Sequence, residues 1–565
     1  MFEPEEGALR PDVVYGRGRC QSDVPLNTKR GPIVGTRFSP NPDTKVSYDA
    51  FLGIPYGQIP ARFQMAVPRT PWSTAKDTKT DGPACPQIFG TFKEDCLYLN
   101  VFTPVNAASS PSKYPVMAFV HGSAFTASSS SSLLYGPDFL IPENVILVTF
   151  NYRLGAVGFL TLGSKVAPGN LGLTDTLLAL QWIQDEISIF GGDPDHVTLF
   201  GESAGSAIVT SHYLSSLSTD LFVNAIAQSG SVLSDWAVIS VAEGTRRAKV
   251  LAQALGCNIT ENDRTLLSCL QKADINDIVA KQSIVLPSEE IISGSGGLRF
   301  VPVLDSYLMA DVPFFNDTLE GLKVAAMARG KSLIIGITTD DGIVKFLLDD
   351  SWKEGESNVE DFIPRRVRDA VSPDRLLVMG QDIHDRYFPD TFDQNKVLSL
   401  LRLNTDTLFS YPAAKISNYF ANLTYGYVFK YYGSWSQPIQ FPYQLKTVNH
   451  GSELPYIFYF SKVSLPLDSC SFNAENIAMK NKMVNWWTTF AKYGSPGSQW
   501  GTVSTMGYMV IDSTNSIMSS STFNSEYFNF WDVMEKSDSS TLNANVANLF
   551  PTIFIIISTS LLSYS

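Results

Sequence analysis

The chain has 565 residues, of which 44% are apolar, 12% aromatic and 17% charged. The aromatic content excludes a mainly disordered protein, and the lack of periodic glycine excludes a collagen-like or simple repeat architecture. The 42 basic and 55 acidic side chains leave a net charge of −13 without any basic run, so nucleic-acid binding is not expected. The composition therefore predicts a globular protein with a large core.

Four short, continuously apolar runs rich in β-branched residues are typical of strands buried on both faces. They cover Val116–His121, Val145–Tyr152, Val197–Phe200 and Leu333–Thr338. Between the second and third runs, leucine and isoleucine recur every three or four residues over Leu171–Ile189, which predicts an amphipathic helix. This alternation predicts an α/β fold, and no Gly/Ser-rich or Pro-rich linker divides residues 31–535. We predict one domain over residues 31–535, preceded by an extension of residues 1–30.

The third apolar run leads into a Gly-x-Ser-x-Gly motif that spans Gly201 to Gly205 and is followed by a helical segment. A serine held at a tight turn needs neighbours without bulk, so that the helix can pack and a substrate can approach. The N-terminus of the following helix also offers amide donors. Strand, turn and helix are the context that this motif requires, which predicts that Ser203 is a nucleophile.

A serine hydroxyl reacts only when a base takes its proton, and the chain has five histidines. His212 lies on the helix that leaves Ser203 and is expected to pack or contact solvent. His384 lies in a charged stretch and is expected on a solvated helix face. In the α/β-hydrolase order the acid and the histidine follow the serine. His450 occupies a loop before a glycine and is the predicted base.

The histidine needs an acid that holds its tautomer and stabilises the imidazolium. The apolar run Leu333–Thr338 is followed by Asp340 and Asp341. Acids at the carboxyl end of a strand lie on the edge where α/β active sites assemble. One of the two aspartates is therefore predicted to pair with His450, and their spacing does not choose between them.

Several segments resemble the signatures of the type-B carboxylesterase and cholinesterase family, and the resemblance extends from about Gly31 to Gly494. The segments are Glu94–Asn100, Asn151–Leu160, Gly169–Asp175, Phe190–Pro194 and Gly201–Gly205. The resemblance implies an α/β-hydrolase fold, with a mostly parallel central sheet covered by helices on both faces. Tyr135–Leu140 and the short loop between Cys85 and Cys96 are most similar to insect-type carboxylesterases.

The resemblance also implies roles for particular residues. Asp341 matches the triad acid, usually glutamate in the family, and His450 matches the base. The oxyanion hole is matched by the backbone amides of Ser123, Ala124 and Ala204. The family usually has glycine where Ser123 stands, and a serine would be strained there if its φ is positive. The matching substrate pocket contains Trp236, Leu298 and Val344.

Among the six cysteines none has the CxxC spacing of a zinc site, and neither a metal nor a cofactor is expected. The resemblance implies the disulfides Cys85–Cys96 and Cys257–Cys269 and leaves Cys20 and Cys470 unassigned. Together with three glycosylation sequons these pairs favour an oxidising, extracellular setting. The sequons begin at Asn258, Asn316 and Asn422.

The two ends of the chain bear on location. The first residues are acidic and lack the apolar core of a secretory signal peptide. Residues 549–565 are continuously apolar and follow a polar spacer, 536–548, a pattern typical of a GPI-attachment signal. A tail-anchor helix and a C-terminal core strand are the alternatives. We expect a protein that is GPI-anchored at the cell surface or secreted.

The predicted function is that of a serine carboxylic ester hydrolase, acting through an acyl-enzyme on small to medium uncharged esters. Cholinesterase activity is not expected, because the ten residues Pro86–Asp95 contain no tryptophan and Lys345 would repel a quaternary ammonium. The alternative is a catalytically weak cell-surface recognition protein of the same fold, similar to the neuroligins.

Overall fold

The structure is a computed structural model. It describes residues 21–40, 44–286, 297–305, 312–348, 363–368, 371–388, 393–436, 439–440, 444–460, 472–513, 516–520 and 528–535. The predicted spacer 536–548, the predicted GPI signal 549–565, Cys20 and Cys470 lie outside the described residues.

The described residues form seventeen strands. In chain order they are β1 (Gln21–Asn27), β2 (Pro32–Phe38), β3 (Tyr48–Pro55), β4 (Gly57–Gln58), β5 (Val67–Pro68), β6 (Lys76–Asp77), β7 (Tyr98–Thr103), β8 (Tyr114–Val120), β9 (Ile146–Phe150), β10 (Gly192–Glu202), β11 (Asn224–Gln228), β12 (Ser332–Thr338), β13 (Thr424–Phe429), β14 (Ile439–Gln440), β15 (Gln444–Leu445), β16 (Tyr508–Ile511) and β17 (Ile517–Ser519).

One sheet dominates the fold and contains 13 strands within the described ranges. Its order is β1, β2, β3, β7, β9, β8, β10, β11, β12, β13, β16 and β17, with β6 paired to β2. Every pairing from β9 to β16 is parallel, whereas the pairings at both ends of this order are antiparallel. The carboxyl ends of the parallel strands therefore meet at one edge, where α/β folds build their sites.

The first strand lies within the residues predicted as an N-terminal extension, 1–30. β1 pairs with β2 along its whole length, from Gln21 opposite Phe38 to Asn27 opposite Pro32. Strand pairing at a sheet edge requires only backbone groups, so a segment without a continuous apolar run can form this strand. The sheet therefore begins before residue 31.

Both faces of the parallel strands are covered. On β8, Val116 and Ala118 pack into one apolar cluster, whereas Met117 and Phe119 pack into another on the opposite face. Successive side chains of a strand point to opposite faces, so each cluster belongs to one side of the sheet. This explains why the predicted strands are continuously apolar, and it confirms the predicted α/β-hydrolase architecture.

The helices of the described residues cover these faces. They are α1 (Gly155–Phe159), α2 (Leu171–Glu186), α3 (Ala204–Leu214), α4 (Val241–Ala254), α5 (Asp263–Lys272), α6 (Ile275–Lys281), α7 (Leu319–Arg329), α8 (Ile343–Leu348), α9 (Arg365–Arg368), α10 (Pro373–Tyr387), α11 (Asp393–Thr405), a π-helix (Asp406–Ser410), α12 (Tyr411–Tyr419), α13 (Ala474–Tyr493) and α14 (Val503–Met506), and residues 528–535 are also helical. None of these helices has both the length and the hydropathy needed to cross a bilayer.

Helix α2 is more deeply buried than its apolar periodicity predicts. Its polar residues Asp175 and Thr176 are buried, whereas Leu177 is only half-buried. Asp175 accepts two hydrogen bonds from the guanidinium of Arg153, each of 2.7 Å, and both side chains are fully buried. Because each charge has its partner, polar residues can occupy the inward side of the helix.

Candidate active site

Ser203 lies at the junction between β10 and α3. β10 ends at Glu202 and α3 begins at Ala204. Between them Ser203 has φ 58° and ψ −124°, a backbone conformation that side-chain-bearing residues rarely adopt. The Gly-x-Ser-x-Gly motif therefore forms a sharp strand-to-helix turn at the carboxyl edge of the sheet.

His450 is paired with Asp341. Its Nδ1 lies 2.8 Å from Asp341 Oδ1, and the other oxygen of this buried carboxylate accepts a hydrogen bond of 3.0 Å from the Thr338 amide. Asp340 instead accepts a 2.8 Å hydrogen bond from the amide of Val448. Asp340 thus ties the loop after β12 to the histidine loop, while Asp341 orients the ring. The structure separates two residues that spacing could not separate.

Three buried carboxylates, Asp341, Glu202 and Glu453, act electrostatically on His450. Besides Asp341, Glu202 Oε1 lies 3.1 Å from His450 Nε2, but this nitrogen makes no hydrogen bond of acceptable geometry within the described residues. Burial raises the pKa of Glu202 to about 8 and that of Glu453 to about 7. Burial alone would lower the pKa of His450, but the charges of Glu202 and Asp341 outweigh burial and raise it. The imidazolium is therefore stabilised, as a proton-accepting base requires.

His212 and His384, which the sequence does not favour as the base, differ in environment. His212 is buried, and its ring nitrogens lie 2.6 Å from the hydroxyls of Thr176 and Ser218. Burial lowers the pKa of His212 to about 3, so this residue packs as a neutral ring. His384 lies on α10, partly exposed beside Asp385.

The segment after β8 carries the predicted oxyanion donors in an unusual backbone conformation. Ser123, Ala124 and Phe125 have φ values of 77°, 56° and 59°, so the sequence departure at Ser123 falls in the region that favours glycine. The Gly155 amide donates to the carbonyl of Phe125 over 2.7 Å and helps to hold this turn. Within the described part of the chain, no hydrogen bond occupies the amides of Ser123, Ala124 and Ala204.

A cavity of about 550 Å³ contains these groups. Ser203, His450, Ser123 and Ala124 line it together with the predicted pocket residues Trp236, Leu298 and Val344. The indole N–H of Trp236 donates to the carbonyl of Leu408 over 3.0 Å, which fixes the orientation of the ring. The cavity can therefore enclose an ester next to the serine.

Sequence reasoning missed several cavity-lining residues. Ile88 and Phe89 come from the loop between Cys85 and Cys96, Leu408 and Phe409 come from the π-helix, and Arg299 follows Leu298. The ring of Phe409 lies 4.9 Å from that of His450. The aromatic residue in the short disulfide loop was a usable signal for Phe89. No local pattern marks Phe409 or Arg299, because distant segments bring them to the cavity.

Both disulfides implied by the resemblance are present, Cys85–Cys96 and Cys257–Cys269. The side chains of Asn258, Asn316 and Asn422 are all exposed. Exposure is the condition that glycosylation requires of an acceptor asparagine.

The sheet, the serine at the sharp turn and the paired histidine and acid together are those of an α/β-hydrolase. Comparison with known proteins shows to which family of α/β-hydrolases the chain belongs. The chain matches the family model described as Carboxylesterase family over residues 22–531. It is 33% identical over 522 residues to an acetylcholinesterase of Bungarus fasciatus, an alignment that covers 86% of this chain and 80% of that protein.

The fold is also similar to a solved structure, the crystal structure of juvenile hormone esterase from Manduca sexta with OTFP covalently attached. The TM-score is 0.78 with 27% sequence identity, and the superposition covers 91% of this chain and 100% of the other. The chain belongs to the carboxylesterase family and is a serine ester hydrolase.

The two aspartates after β12 give the first test of the site. Asp341→Asn should lower kcat by about 10³- to 10⁴-fold, because the amide no longer holds the tautomer or stabilises the imidazolium. The matched variant Asp340→Asn keeps an oxygen acceptor for Val448 and should lower kcat by less than about tenfold. Turnover of a p-nitrophenyl ester measures both, and equal losses would contradict the assignment of Asp341.

The strained turn gives the second test. Ser123→Gly should raise kcat, by at most roughly the 10²- to 10³-fold that one oxyanion donor is worth, because glycine relaxes into this conformation and can align its amide. Ser128 also has a positive φ, of 84°, on the same segment without lining the cavity. Ser128→Gly is therefore the control and should leave kcat unchanged. A rate for Ser123→Gly at or below wild type would mean that serine already aligns the donor.

The carboxylate beside Nε2 gives the third test. The rate falls at low pH because protonated His450 cannot accept a proton. Since Glu202 raises the pKa of His450, Glu202→Gln should move the acid limb of the kcat/KM profile to lower pH. Glu261→Gln, an exposed change outside the cavity, should leave the limb in place. A limb that moves to higher pH in Glu202→Gln would contradict this interpretation of the electrostatics.

Proposed function

We propose that this protein hydrolyses small to medium uncharged carboxylic esters through an acyl-enzyme on Ser203. His450 Nε2 takes the proton of the serine as Oγ bonds to the ester carbonyl carbon, and Asp341 holds the ring at Nδ1. The amides of Ser123, Ala124 and Ala204 donate to the oxyanion. The C–O bond to the alcohol then breaks, and the alcohol leaves with the proton from His450.

The second half of the reaction repeats these steps with water. His450 takes a proton from the water as its oxygen bonds to the acyl carbon, and the acid leaves as the serine regains its proton. The observation that carries the proposal is the 2.8 Å contact between His450 Nδ1 and Asp341 Oδ1, in the same cavity as Ser203. The covalently attached OTFP of the Manduca sexta relative adds support for a covalent route.

The walls of the cavity favour an uncharged ester over a choline ester. Although one relative is an acetylcholinesterase, Arg299 and Lys345 line the cavity of this chain. Two cations repel a quaternary ammonium, and their repulsion opposes any cation–π attraction from Phe89 or Trp236. Leu298 and Val344 offer apolar surface to alkyl or aryl groups instead.

The nucleophile can be tested directly. Ser203→Ala should abolish turnover of short acyl p-nitrophenyl esters and labelling by a fluorophosphonate, because both reactions need the serine oxygen. The neighbouring variant Ser206→Ala removes a buried hydroxyl that donates a hydrogen bond to the carbonyl of Gly230. This variant should still be labelled by the fluorophosphonate. Labelling of Ser203→Ala would contradict the assignment. A folded wild-type protein without any turnover would favour the recognition role shared with the neuroligins.

We also propose that the protein acts outside the cell, as a glycoprotein held by a GPI anchor or secreted. The exposed sequons and the two disulfides support this setting. The sequence of residues 536–565 supports GPI attachment, with small residues at Ser537 and Ser539 and a spacer of suitable length before the apolar tail.

The anchor has a direct test. Expressed with a supplied signal peptide, the protein should appear at the cell surface and be released by phosphatidylinositol-specific phospholipase C, because the tail is exchanged for a lipid. A control chain that lacks residues 549–565 should be secreted instead, because it has lost the attachment signal. Surface protein that resists the lipase and retains residues 549–565 by mass spectrometry would contradict GPI attachment.

A further inference from the structure

The oxyanion segment, residues 121–127, needs contacts with other parts of the chain to keep its conformation. Three successive residues from Ser123 onward have positive φ values, which residues with a Cβ rarely adopt. Within the segment, the amides of Thr126 and Ala127 donate to the carbonyl of Ser123 over 3.0 and 3.4 Å. These two hydrogen bonds close the turn, but they do not fix its position relative to Ser203.

The segment that follows β9 supplies such a contact. The Tyr152 hydroxyl donates a hydrogen bond of 2.9 Å to the carbonyl of His121, two residues before Ser123. The two rings also stack, with centroids 4.6 Å apart and planes inclined by 22°. Both side chains are buried, so water does not compete for this hydrogen bond. Tyr152 is therefore attached to the backbone immediately before the proposed oxyanion donors.

The protonation states of the two side chains preserve this contact at neutral pH. Burial lowers the pKa of His121 to about 4, so its ring is neutral. Burial also raises the pKa of Tyr152 well above its ordinary value. The Tyr152 hydroxyl therefore keeps its proton and remains a hydrogen-bond donor.

The segment that carries Tyr152 is itself firmly held. The amide and the guanidinium of Arg153 donate hydrogen bonds to the buried carboxylate of Asp175. On the other side of Tyr152, the Tyr56 hydroxyl donates to the carbonyl of Asn151 over 2.6 Å. Both neighbours of Tyr152 are thus fixed, so its hydroxyl can determine the position of the carbonyl that it contacts.

We infer that Tyr152 is a positioning residue for the oxyanion hole. Its hydroxyl fixes the carbonyl of His121 and thereby orients the amides of Ser123 and Ala124 toward the oxyanion. Tyr152 does not line the cavity, so it acts only through this segment. A serine with φ 77° is strained, and the Tyr152 hydrogen bond opposes its relaxation. The inference rests on the proposed ester hydrolysis and on the proposed oxyanion donors.

Tyr152→Phe tests the hydroxyl alone, because the variant keeps the ring and its stacking. We expect kcat/KM for a p-nitrophenyl ester to fall by about 10- to 100-fold, because the donors are displaced but not removed. Tyr213→Phe is the matched control, since the Tyr213 hydroxyl donates to the carbonyl of Lys331 over 2.7 Å, outside the cavity. This control should leave kcat/KM unchanged. Circular dichroism and thermal melting check that both variants are folded.

Two inhibitors separate positioning from a purely structural role. Trifluoromethyl hexyl ketone forms an adduct in which Ser203 Oγ bonds to the ketone carbon, the serine proton passes to His450 and the ketone oxygen becomes an oxyanion. Methyl hexyl ketone has the same chain but binds mainly as the unreacted ketone. In Tyr152→Phe, the Ki of the trifluoromethyl ketone should rise by the factor by which kcat/KM falls, because both depend on the oxyanion donors. The Ki of the methyl ketone should stay unchanged.

Ser123→Gly provides a second variant on the same segment. Glycine adopts a positive φ without strain, so the segment then depends less on Tyr152. The loss of kcat/KM caused by Tyr152→Phe should therefore be smaller in the Ser123→Gly background than in the wild type. Effects that simply multiply would show that the two residues act independently and would overturn the inference.

The outcomes distinguish this inference from the proposed function. If the wild type hydrolyses esters but the Ki of the trifluoromethyl ketone does not rise in Tyr152→Phe, the inference is overturned and ester hydrolysis stands. Equal rises in the Ki of both ketones also overturn it, because they indicate a general distortion of the cavity. If the folded wild type has no turnover, the proposed function fails and the inference fails with it.

Discussion

Three backbone segments approach one another around Ser203 so closely that a side chain larger than glycine cannot be accommodated at two positions between them. A Cβ at Gly205 would lie 2.0 Å from the carbonyl oxygen of Val120, and a Cβ at Gly201 would lie 2.7 Å from the same atom. Real Cβ atoms essentially never come within 3.0 Å of another heavy atom. The end of β8, the end of β10 and the start of α3 therefore close into one junction, which holds Ser203 in its strained conformation.

The rest of the site is built outward from this junction. The segment after β8 carries the amides of Ser123 and Ala124, so the contact that constrains Ser203 also brings the proposed oxyanion donors close to it. β12 is two strands away from β10, or about 10 Å at normal strand spacing. A carboxylate at that distance is too far away to form a hydrogen bond with the serine hydroxyl. His450 lies between Asp341 and the serine and can connect them. The hydrogen bond from the Val448 amide to Asp340 fixes the loop that carries His450.

Local sequence patterns predicted those structural features that a single continuous segment of the chain forms. The apolar runs predicted the central strands, and the contiguous Gly-x-Ser-x-Gly motif predicted the turn at Ser203. The choice between Asp340 and Asp341 needed the family resemblance, because it depends on which carboxylate faces a loop more than a hundred residues later. The burial of α2 was underestimated for a similar reason, since the partner of its Asp175 is Arg153, outside the helix.

Phe89, Arg299 and Lys345 reach the cavity from a disulfide-closed loop, a segment after α6 and helix α8, and none of them belongs to the glycine junction. Ser203 and the amides beside it thus lie at the closely packed carboxyl edge of the sheet. The charge and shape of the cavity are determined by the segments around that edge. A larger side chain at Gly201 or Gly205 would clash with backbone atoms that cannot move. A substitution on the surrounding segments instead contacts mainly side chains and solvent. The substrate range of such an enzyme can therefore change without disturbing the geometry that activates Ser203.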